Sequence, residues 1–314
     1  EQELLDLYNN SHSSRKNMIA FHLGEYYFEK GNYNAAENWF NVVSEANINQ
    51  EWQDNYFFKS GYTYMEMNKA DKALIQFEKS LKLKKSKFHS EANYYSGVIY
   101  FNKKDFSKAE QSLQAIKNTN QTKGVNFVLA QIQFLKKNYP EVIKLLENDN
   151  TVSEGKNQLL GKSYFELKDF TQAENYLLKH LAENPKISPE DMYQLAFSEY
   201  KNGNYKNAIE HFRELQLSNN FGQYAMYALA DCYLKANDKA NALNAFQLAS
   251  QQNQDPIITE ECKFNIGKLN YDLKNYNQAT DNFFDFTEKY PNSTHDKEAW
   301  ELLTHSLLYT NNYP

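Results

Sequence analysis

Histidine, cysteine and carboxylate side chains are the residues of this chain that could carry out catalysis or bind a metal ion. The seven histidines stand at positions 12, 22, 89, 180, 211, 295 and 305 and form no helix-spaced pair with one another. Cys232 and Cys262 have neither CxxC spacing nor a histidine at ligand spacing, so we predict buried, small apolar residues rather than zinc ligands. Glu260 and Glu261 are adjacent, so their carboxylates diverge around a helix and do not suit paired acid and base catalysis.

Sequence motifs for enzyme chemistry are also missing. The chain has no P-loop, no GxGxxG, no GxSxG and no HExxH pattern, the arrangements that bind phosphates, activate a serine or hold zinc. His22 follows Phe21 and precedes Leu23, a setting more typical of a half-buried side chain than of a catalytic base. We therefore predict that this chain is not an enzyme and that it holds no metal ion or other cofactor.

Charge and hydropathy limit the possible partners. The net charge is −6, and basic and acidic residues alternate, whereas nucleic-acid binding needs a basic stripe to neutralise phosphates. No apolar stretch approaches the roughly 18 residues of a membrane-spanning helix. We expect a protein or peptide partner, no nucleic acid and no membrane span in this segment.

The elements that must position any site are predicted to be helices. Ten glycines and six prolines among 314 residues are too few for a turn-rich sheet protein. The 24 tyrosines and 21 phenylalanines supply ample material for a hydrophobic core, which makes disorder an unlikely interpretation.

A small residue recurs every 31–37 residues and marks a repeating unit. These markers are Gly24, Gly61, Gly97, Ala130, Gly161, Ala196, Ala230, Gly267 and Thr304. An aromatic residue stands nine positions beyond seven of the nine markers, alanine or valine stands twelve beyond, and phenylalanine or leucine stands sixteen beyond. The last two positions are one helical turn apart, so each unit is predicted to be two helices that must stack on their neighbours to share a core.

The pattern resembles the tetratricopeptide repeat, whose signature is W-x2-L-G-x2-Y, then A-x3-F, then P, at a period of about 34 residues. The stretches LGEYY at 23–27 and LGKSY at 160–164 match its opening, and Pro185 and Pro291 match its late proline. The unit at 123–153 departs from it, with Gln133 where tyrosine is expected. The resemblance implies an all-α fold, a right-handed superhelical α-solenoid of stacked helix-turn-helix repeats.

We expect a single solenoid over 1–314. It comprises a partial preceding helix at 1–16, eight repeats over about 17–296 and a truncated ninth repeat at 297–314. The final TNNYP at 310–314 matches KKNYP at 136–140, where the proline suits the first turn of a second helix. The segment is therefore expected to be a fragment of a longer array.

In tetratricopeptide arrays the first helix of each unit lines a concave groove, and the resemblance implies that residues three before and four after the marker face it. The aromatic residues at these two positions, together with Tyr62 and Phe197, form the predicted partner-binding groove. Its residues are Phe21, Phe28, Phe58, Tyr62, Tyr94, Phe101, Phe127, Phe134, Phe165, Tyr193, Phe197, Tyr200, Tyr227, Phe264 and Tyr271. The family consensus also favours tyrosine at these places, so the rings could instead pack as core, and both interpretations stay open. The preference for phenylalanine in the first half favours an apolar peptide or partner helix as ligand.

One partner class is disfavoured. Family members that grip the acidic tails of chaperones use a clamp of lysine, asparagine and arginine, and arginine supplies the two-pronged grip on carboxylates. Arg15 and Arg213 are the only arginines of this chain. We do not expect chaperone-tail binding.

The last full unit, FFDFTEKYPNSTHDKEAW at 283–300, is similar to the repeats of bacterial envelope proteins, such as the lipoprotein subunit of the outer-membrane barrel-assembly machinery. The 39 asparagines and 32 lysines against two arginines suggest AT-rich codons, as in many Bacteroidetes. We expect a non-catalytic interaction scaffold of an envelope secretion or assembly complex, in the periplasm or at the periplasmic face of the outer membrane. The alternatives are the sensor region of a signalling protein and a cytosolic peptide-binding adaptor; no oligomeric state is predicted.

Overall fold

The computed structural model describes residues 2–116, 124–151, 154–252 and 254–310. These residues form eighteen α-helices and one short 3-10 helix, Glu45–Asn47, with no strand among them. The predicted all-α class of paired, stacked helices is confirmed.

The chain divides into two compact bodies, residues 1–153 and 154–314. The N-terminal body contains α1 (Gln2–Asn10), α2 (Ser13–Glu29), α3 (Tyr33–Val42), α4 (Gln50–Glu66), α5 (Ala70–Lys82), α6 (His89–Asn102), α7 (Phe106–Gln114), α8 (Val125–Leu135) and α9 (Tyr139–Leu146). The C-terminal body contains α10 (Lys156–Glu166), α11 (Phe170–Glu183), α12 (Pro189–Lys201), α13 (Tyr205–Glu214), α14 (Gly222–Lys235), α15 (Lys239–Gln251), α16 (Pro256–Asp272), α17 (Tyr276–Lys289) and α18 (Asp296–Thr310).

Each turn between the first and second helix of a repeat has the same backbone geometry. Seven residues after the marker the chain takes a left-handed conformation with φ between 56° and 82°, at Gly31, Asn68, Lys104, Lys137, Lys168, Gly203, Asn237 and Lys274. The next residue caps the second helix, and the helix begins at the residue nine after the marker. At Asp105 and Asp169 the cap carboxylate accepts a backbone N–H three residues later, which satisfies a donor that the helix leaves free. The aromatic residue found at this spacing is therefore the first residue of the second helix.

The marker and the large residue sixteen positions later pack on each other inside every repeat that has a glycine marker. A Cβ atom added to Gly24 would lie 2.5 Å from the ring of Phe40, and one added to Gly61 would lie 2.8 Å from the ring of Phe77. Both rings are fully buried. The first helix can approach the second this closely only where the marker side chain is absent or small.

Within each body the first helices of neighbouring repeats lie side by side. α2 contacts α4, and in the C-terminal body α10 contacts α12, α12 contacts α14 and α14 contacts α16. Each first helix also packs against its own second helix. Side chains on the outer face of the first helices can thus be brought together from two or three repeats.

Some repeat boundaries differ from those predicted. α2 begins at Ser13, so the first repeat starts earlier than residue 17, and α18 begins at Asp296. The second helix predicted to begin in TNNYP falls at 311–314, outside the residues that the structure describes. The single uninterrupted solenoid over 1–314 stays a prediction.

Candidate functional site: an aromatic cleft on the first helices

The fifteen predicted groove rings fall into two groups by exposure. Phe21, Phe58 and Phe264 are only 0%, 8% and 3% exposed and lie in the hydrophobic core. A partner cannot reach these three rings, so they drop out of the candidate surface. The other twelve are half-buried, and for them the partner-binding prediction stays a prediction.

Aromatic side chains of the following repeat stack on all three rings of the first group and on Tyr193 of the second. The covered ring stands three residues before the marker of its own repeat. The ring that stacks on it stands nine residues before the marker of the next repeat, and four such pairs occur among the described residues. The pairs are Trp52 on Phe21 (5.9 Å between ring centroids), Phe88 on Phe58 (4.1 Å), Phe221 on Tyr193 (5.5 Å) and His295 on Phe264 (4.2 Å). The sequence analysis missed this position, although an aromatic at a fixed distance from the marker was a signal that could have found it.

In the N-terminal body, half-buried rings of α2 and α4 form an aromatic patch beside a half-buried ion pair. The ring of Tyr62 meets that of Phe28 at 5.6 Å, nearly edge to face. Lys59 Nζ lies 2.8 Å from Glu25 Oε1 and 5.6 Å from the Phe28 ring centroid. Burial raises the pKa of Tyr62, so its hydroxyl stays protonated and can donate a hydrogen bond.

In the C-terminal body, α12, α14 and α16 surround a cleft with a volume of about 530 Å³. Its lining includes Tyr193, Phe197, Tyr200 and Tyr227 of the predicted groove. The other lining residues are Lys201, Tyr224, Ala228, Asp231, Leu234, Phe246, Ile258 and Asn265. Sequence reasoning found the rings but missed the polar members, because charged and amide residues on a helix face carry no distinctive spacing.

The aromatic wall of the cleft is held by ring contacts. Tyr193 and Phe197 lie 5.9 Å apart with an interplanar angle of 25°, and Phe197 and Tyr200 lie 6.0 Å apart. On the α14 side, Tyr227 meets the ring of Phe246 edge to face at 5.7 Å. Such pairs add about 0.5–1.5 kcal/mol each beyond the area that they bury, so the wall is preformed.

An aliphatic residue occupies one covering position of the cleft. Ile258 stands nine residues before Gly267, where other repeats carry Trp52, Phe88 or His295. Isoleucine cannot stack across the ring of Tyr227 as an aromatic would. Tyr227 is half-buried, and Ile258 is part of the lining.

Two charged residues meet the aromatic wall. The Tyr200 hydroxyl donates to Asp231 Oδ2 at 2.5 Å, and burial together with this hydrogen bond raises the pKa of Tyr200. Lys201 Nζ lies 5.0 Å from the Phe197 ring centroid and 5.2 Å from that of Tyr200. Both distances suit cation–π attraction, so the cleft combines a carboxylate with rings that already attract an ammonium group.

The cysteines lie beside this region without joining it. Cys232 and Cys262 are fully buried and unbridged, and burial raises the pKa of each thiol to about 12. Both therefore stay protonated and pack as small apolar residues, which confirms the prediction for them. Across the described ranges, no group of His, Cys, Asp and Glu side chains is arranged to hold a metal ion.

The helices were also compared with membrane-spanning segments. Over the described part of the chain, none combines the length and the apolar character that crossing a bilayer requires.

Three family models match parts of the sequence. The Tetratricopeptide repeat model matches residues 55–87, which contain α4 from Asn55 onward and all of α5. The model of anaphase-promoting complex, cyclosome, subunit 3 matches 201–286, and that of the N-terminal domain of the T7SS, ESX-1 secretion system protein EccA1 matches 88–236. No curated protein matches the chain.

Several solved structures are similar to the chain at low identity. YrrB, described as a TPR protein with an unusual peptide-binding site, is 15% identical over 68% of this chain and 93% of its own, with a TM-score of 0.34. The C-terminal part of a TPR repeat-containing protein from Cytophaga hutchinsonii is 17% identical over 89% of this chain and 98% of its own, with a TM-score of 0.41. A chain of the Naa15/Naa10 complex bound to HypK is 13% identical over 93% of this chain and 39% of its own, with a TM-score of 0.41.

Proposed function

This chain is a tetratricopeptide-repeat protein, and on that premise we propose that it is a non-catalytic scaffold that binds a peptide or partner helix against the rings of its first helices. Its fold is that of a protein–protein interaction scaffold. The proposal adds the face that is used and the kind of segment that is bound.

The cleft of the C-terminal body is the observation that carries this proposal. Tyr193, Phe197, Tyr200 and Tyr227 are half-buried by the chain itself and leave part of each ring facing about 530 Å³ of open space. This volume lies within the usual range for ligand pockets. Removing the remaining apolar surface of such rings from water favours binding, with about 1.5–3 kcal/mol as the value for full burial of one large apolar side chain.

The proposed setting is a bacterial envelope secretion or assembly complex, in the periplasm or at the periplasmic face of the outer membrane. Two observations support it. The repeat at 283–300 is similar to those of envelope proteins, and residues 88–236 match the model of a secretion-system protein's N-terminal domain. Fractionation of cells of the source organism tests the setting, since the tagged chain should be recovered with the envelope and not with the cytosol.

Site-specific photo-crosslinking in cells of the source organism tests the binding face. A benzoyl-phenylalanine placed at Phe197 in the full chain should crosslink to one predominant protein, because this ring lines the cleft. The matched control carries the same group at Phe284, which is 54% exposed on the second helix α17. Crosslinking at Phe197 with none at Phe284 supports the proposal. Crosslinking only at Phe284, or at neither position, contradicts it.

A further inference from the structure

We propose that the cleft between α12 and α14 selects a basic side chain, lysine or arginine, of the bound peptide, with Asp231 as its counter-ion. The inference rests on the proposed peptide-binding function and adds the chemistry of the residue that occupies the cleft. It follows from the hydrogen-bonding capacity that the lining leaves unused, from its charges and from its rings.

Two of the polar groups in the cleft have an oxygen that is free to accept a hydrogen bond. Asp231 accepts the Tyr200 hydroxyl through Oδ2, and within the described residues no hydrogen bond reaches its Oδ1. Asn265 donates its amide Nδ2 to the carbonyl of Glu261 at 2.8 Å, which leaves its Oδ1 free to accept. Lysine and arginine side chains bring three and five N–H donors and no acceptor, so they complement this lining.

The charge of Asp231 is also unmatched. Asp272 pairs with Lys239 at 2.8 Å, and Glu261 Oε1 lies 2.9 Å from His295 Nε2. Asp231 has no ion pair among the residues that the structure describes. A half-buried carboxylate of this kind gains most from a cation that also donates a hydrogen bond. An acidic ligand residue would meet like charge.

The rings themselves already hold an ammonium group. Lys201 Nζ lies 5.0 and 5.2 Å from the centroids of Phe197 and Tyr200. Lys201 is exposed at the end of α12, so it can swing into solvent when another cation arrives. It would then be a competitor of the ligand, and its removal should strengthen binding of a basic side chain. If Lys201 instead anchored an acidic ligand, its removal should weaken binding of that ligand.

Nuclear magnetic resonance of the full chain with isotope-labelled tyrosine tests the inference. The probes are butylammonium and butylguanidinium, which mimic the two basic side chains, with butyrate and butanol as matched controls of similar size. The two cations should shift the resonances of Tyr200 and Tyr227 in a saturable manner, and the two controls should not. A cleft whose tyrosines respond to neither cation overturns the inference.

Two variants should change the affinity of the cleft for the cations in opposite directions. Asp231→Asn keeps an acceptor for Tyr200 and removes the charge, and should weaken cation binding about 10-fold or more. Lys201→Gln removes the competitor and should strengthen it about 2- to 5-fold. Lys235→Gln, an exposed lysine of α14 outside the lining, should change nothing. If butyrate binds and Lys201→Gln abolishes that binding, the cleft selects acidic residues and the inference is wrong.

Panning a random peptide phage library on the full chain separates this inference from the proposed function. Peptides rich in lysine or arginine that are lost with Asp231→Asn support both. Peptides that are lost with Phe197→Ser, but lack basic residues and still bind Asp231→Asn, support the scaffold and overturn the basic specificity. Peptides that bind both variants as well as the parent, or no recovered peptide, contradict both. Each variant is used only if its thermal unfolding midpoint matches the parent.

Discussion

In the repeat that carries the cleft, a buried glutamate stands where other repeats have tyrosine, and it is paired with a histidine. Glu199 stands three residues after its marker, where other repeats have Tyr64 or Tyr164. Its side chain is fully buried, with Oε2 2.7 Å from Nδ1 of His211. Its Oε1 has no hydrogen-bond partner within the described residues. The pair joins α12 to α13, and Glu199 directly precedes the cleft residue Tyr200 in sequence.

This pair predicts that stability falls as pH rises. Burial raises the pKa of Glu199 above its ordinary 4.5, and the hydrogen bond to Glu199 raises the pKa of His211 above its ordinary 6.5. Both groups therefore keep protons in the folded state at pH values where the unfolded chain has lost them. The contribution of His211 is fully present below 6.5 and is lost as pH rises through its folded pKa, and Glu199 adds the same sign from 4.5 upward.

Urea unfolding at about pH 5 and about pH 8 measures the effect, since histidine changes charge between these values. From about pH 5 to about pH 8, the free energy of unfolding should fall more in the parent than in the Glu199→Gln variant. This variant keeps the side-chain shape, but it removes both the buried acid and the cause of the raised pKa of His211. Other titrating groups are common to the two proteins and cancel in the comparison. Equal losses in parent and variant would show that the pair does not couple folding to pH.

At the scale of the helix pair, Gly24 allows α2 and α3 to pack closely. An added Cβ would lie 2.5 Å from Cδ1 and Cε1 of Phe40, a ring that is 1% exposed and cannot move aside freely. We expect Gly24→Ala to lower the free energy of unfolding by about 1–3 kcal/mol, partly offset by the better helix propensity of alanine. Thermal unfolding followed by circular dichroism measures the change.

A second substitution tests whether Gly24→Ala destabilises the protein by crowding the ring of Phe40. Phe40→Leu in the Gly24→Ala background removes ring atoms that the new methyl group meets, and should recover part of the lost stability. If Phe40→Leu costs the same in both backgrounds, the two positions do not interact, and the close approach is not the reason for glycine at the marker.

The repeat pattern made the helix pairs predictable, because the interaction between marker and large residue spans only sixteen positions of sequence. The turn inside each repeat is equally local, since the left-handed residue, the cap position and the first residue of the second helix are consecutive. The exposure of the groove rings could not be read in this way. Phe58 is buried with Phe88 of the next repeat stacked on it at 4.1 Å, whereas Tyr227, which lines the cleft together with Ile258, is half-buried. That outcome depends on a side chain of another repeat.

At the scale of the whole molecule, each body contains hydrophobic clusters of its own. The cluster around Phe40 and the cluster around Phe77 belong to the N-terminal body. The largest cluster of the C-terminal body runs from Met192 to Leu269 and packs against the cleft rings Tyr193, Phe197 and Tyr227. In repeat proteins stability is approximately a sum of terms within repeats and between nearest neighbours, so the position of a cut decides what a fragment loses.

We therefore expect residues 154–314 to fold on their own and to keep the cleft, since α12, α14 and α16 all lie within them. A fragment of residues 222–314 is the matched control, because its cut separates Phe212 and Leu215 from the cluster that they share with Ala225 and Phe246. Circular dichroism should give the longer fragment a helical content per residue close to that of the full chain and a cooperative thermal transition, and the shorter one a clear loss of both. The tyrosine resonances of the cleft should respond to butylguanidinium in the longer fragment as in the full chain. A longer fragment that is unfolded would mean that the C-terminal body depends on residues before 154 for its stability, and that its own clusters do not suffice.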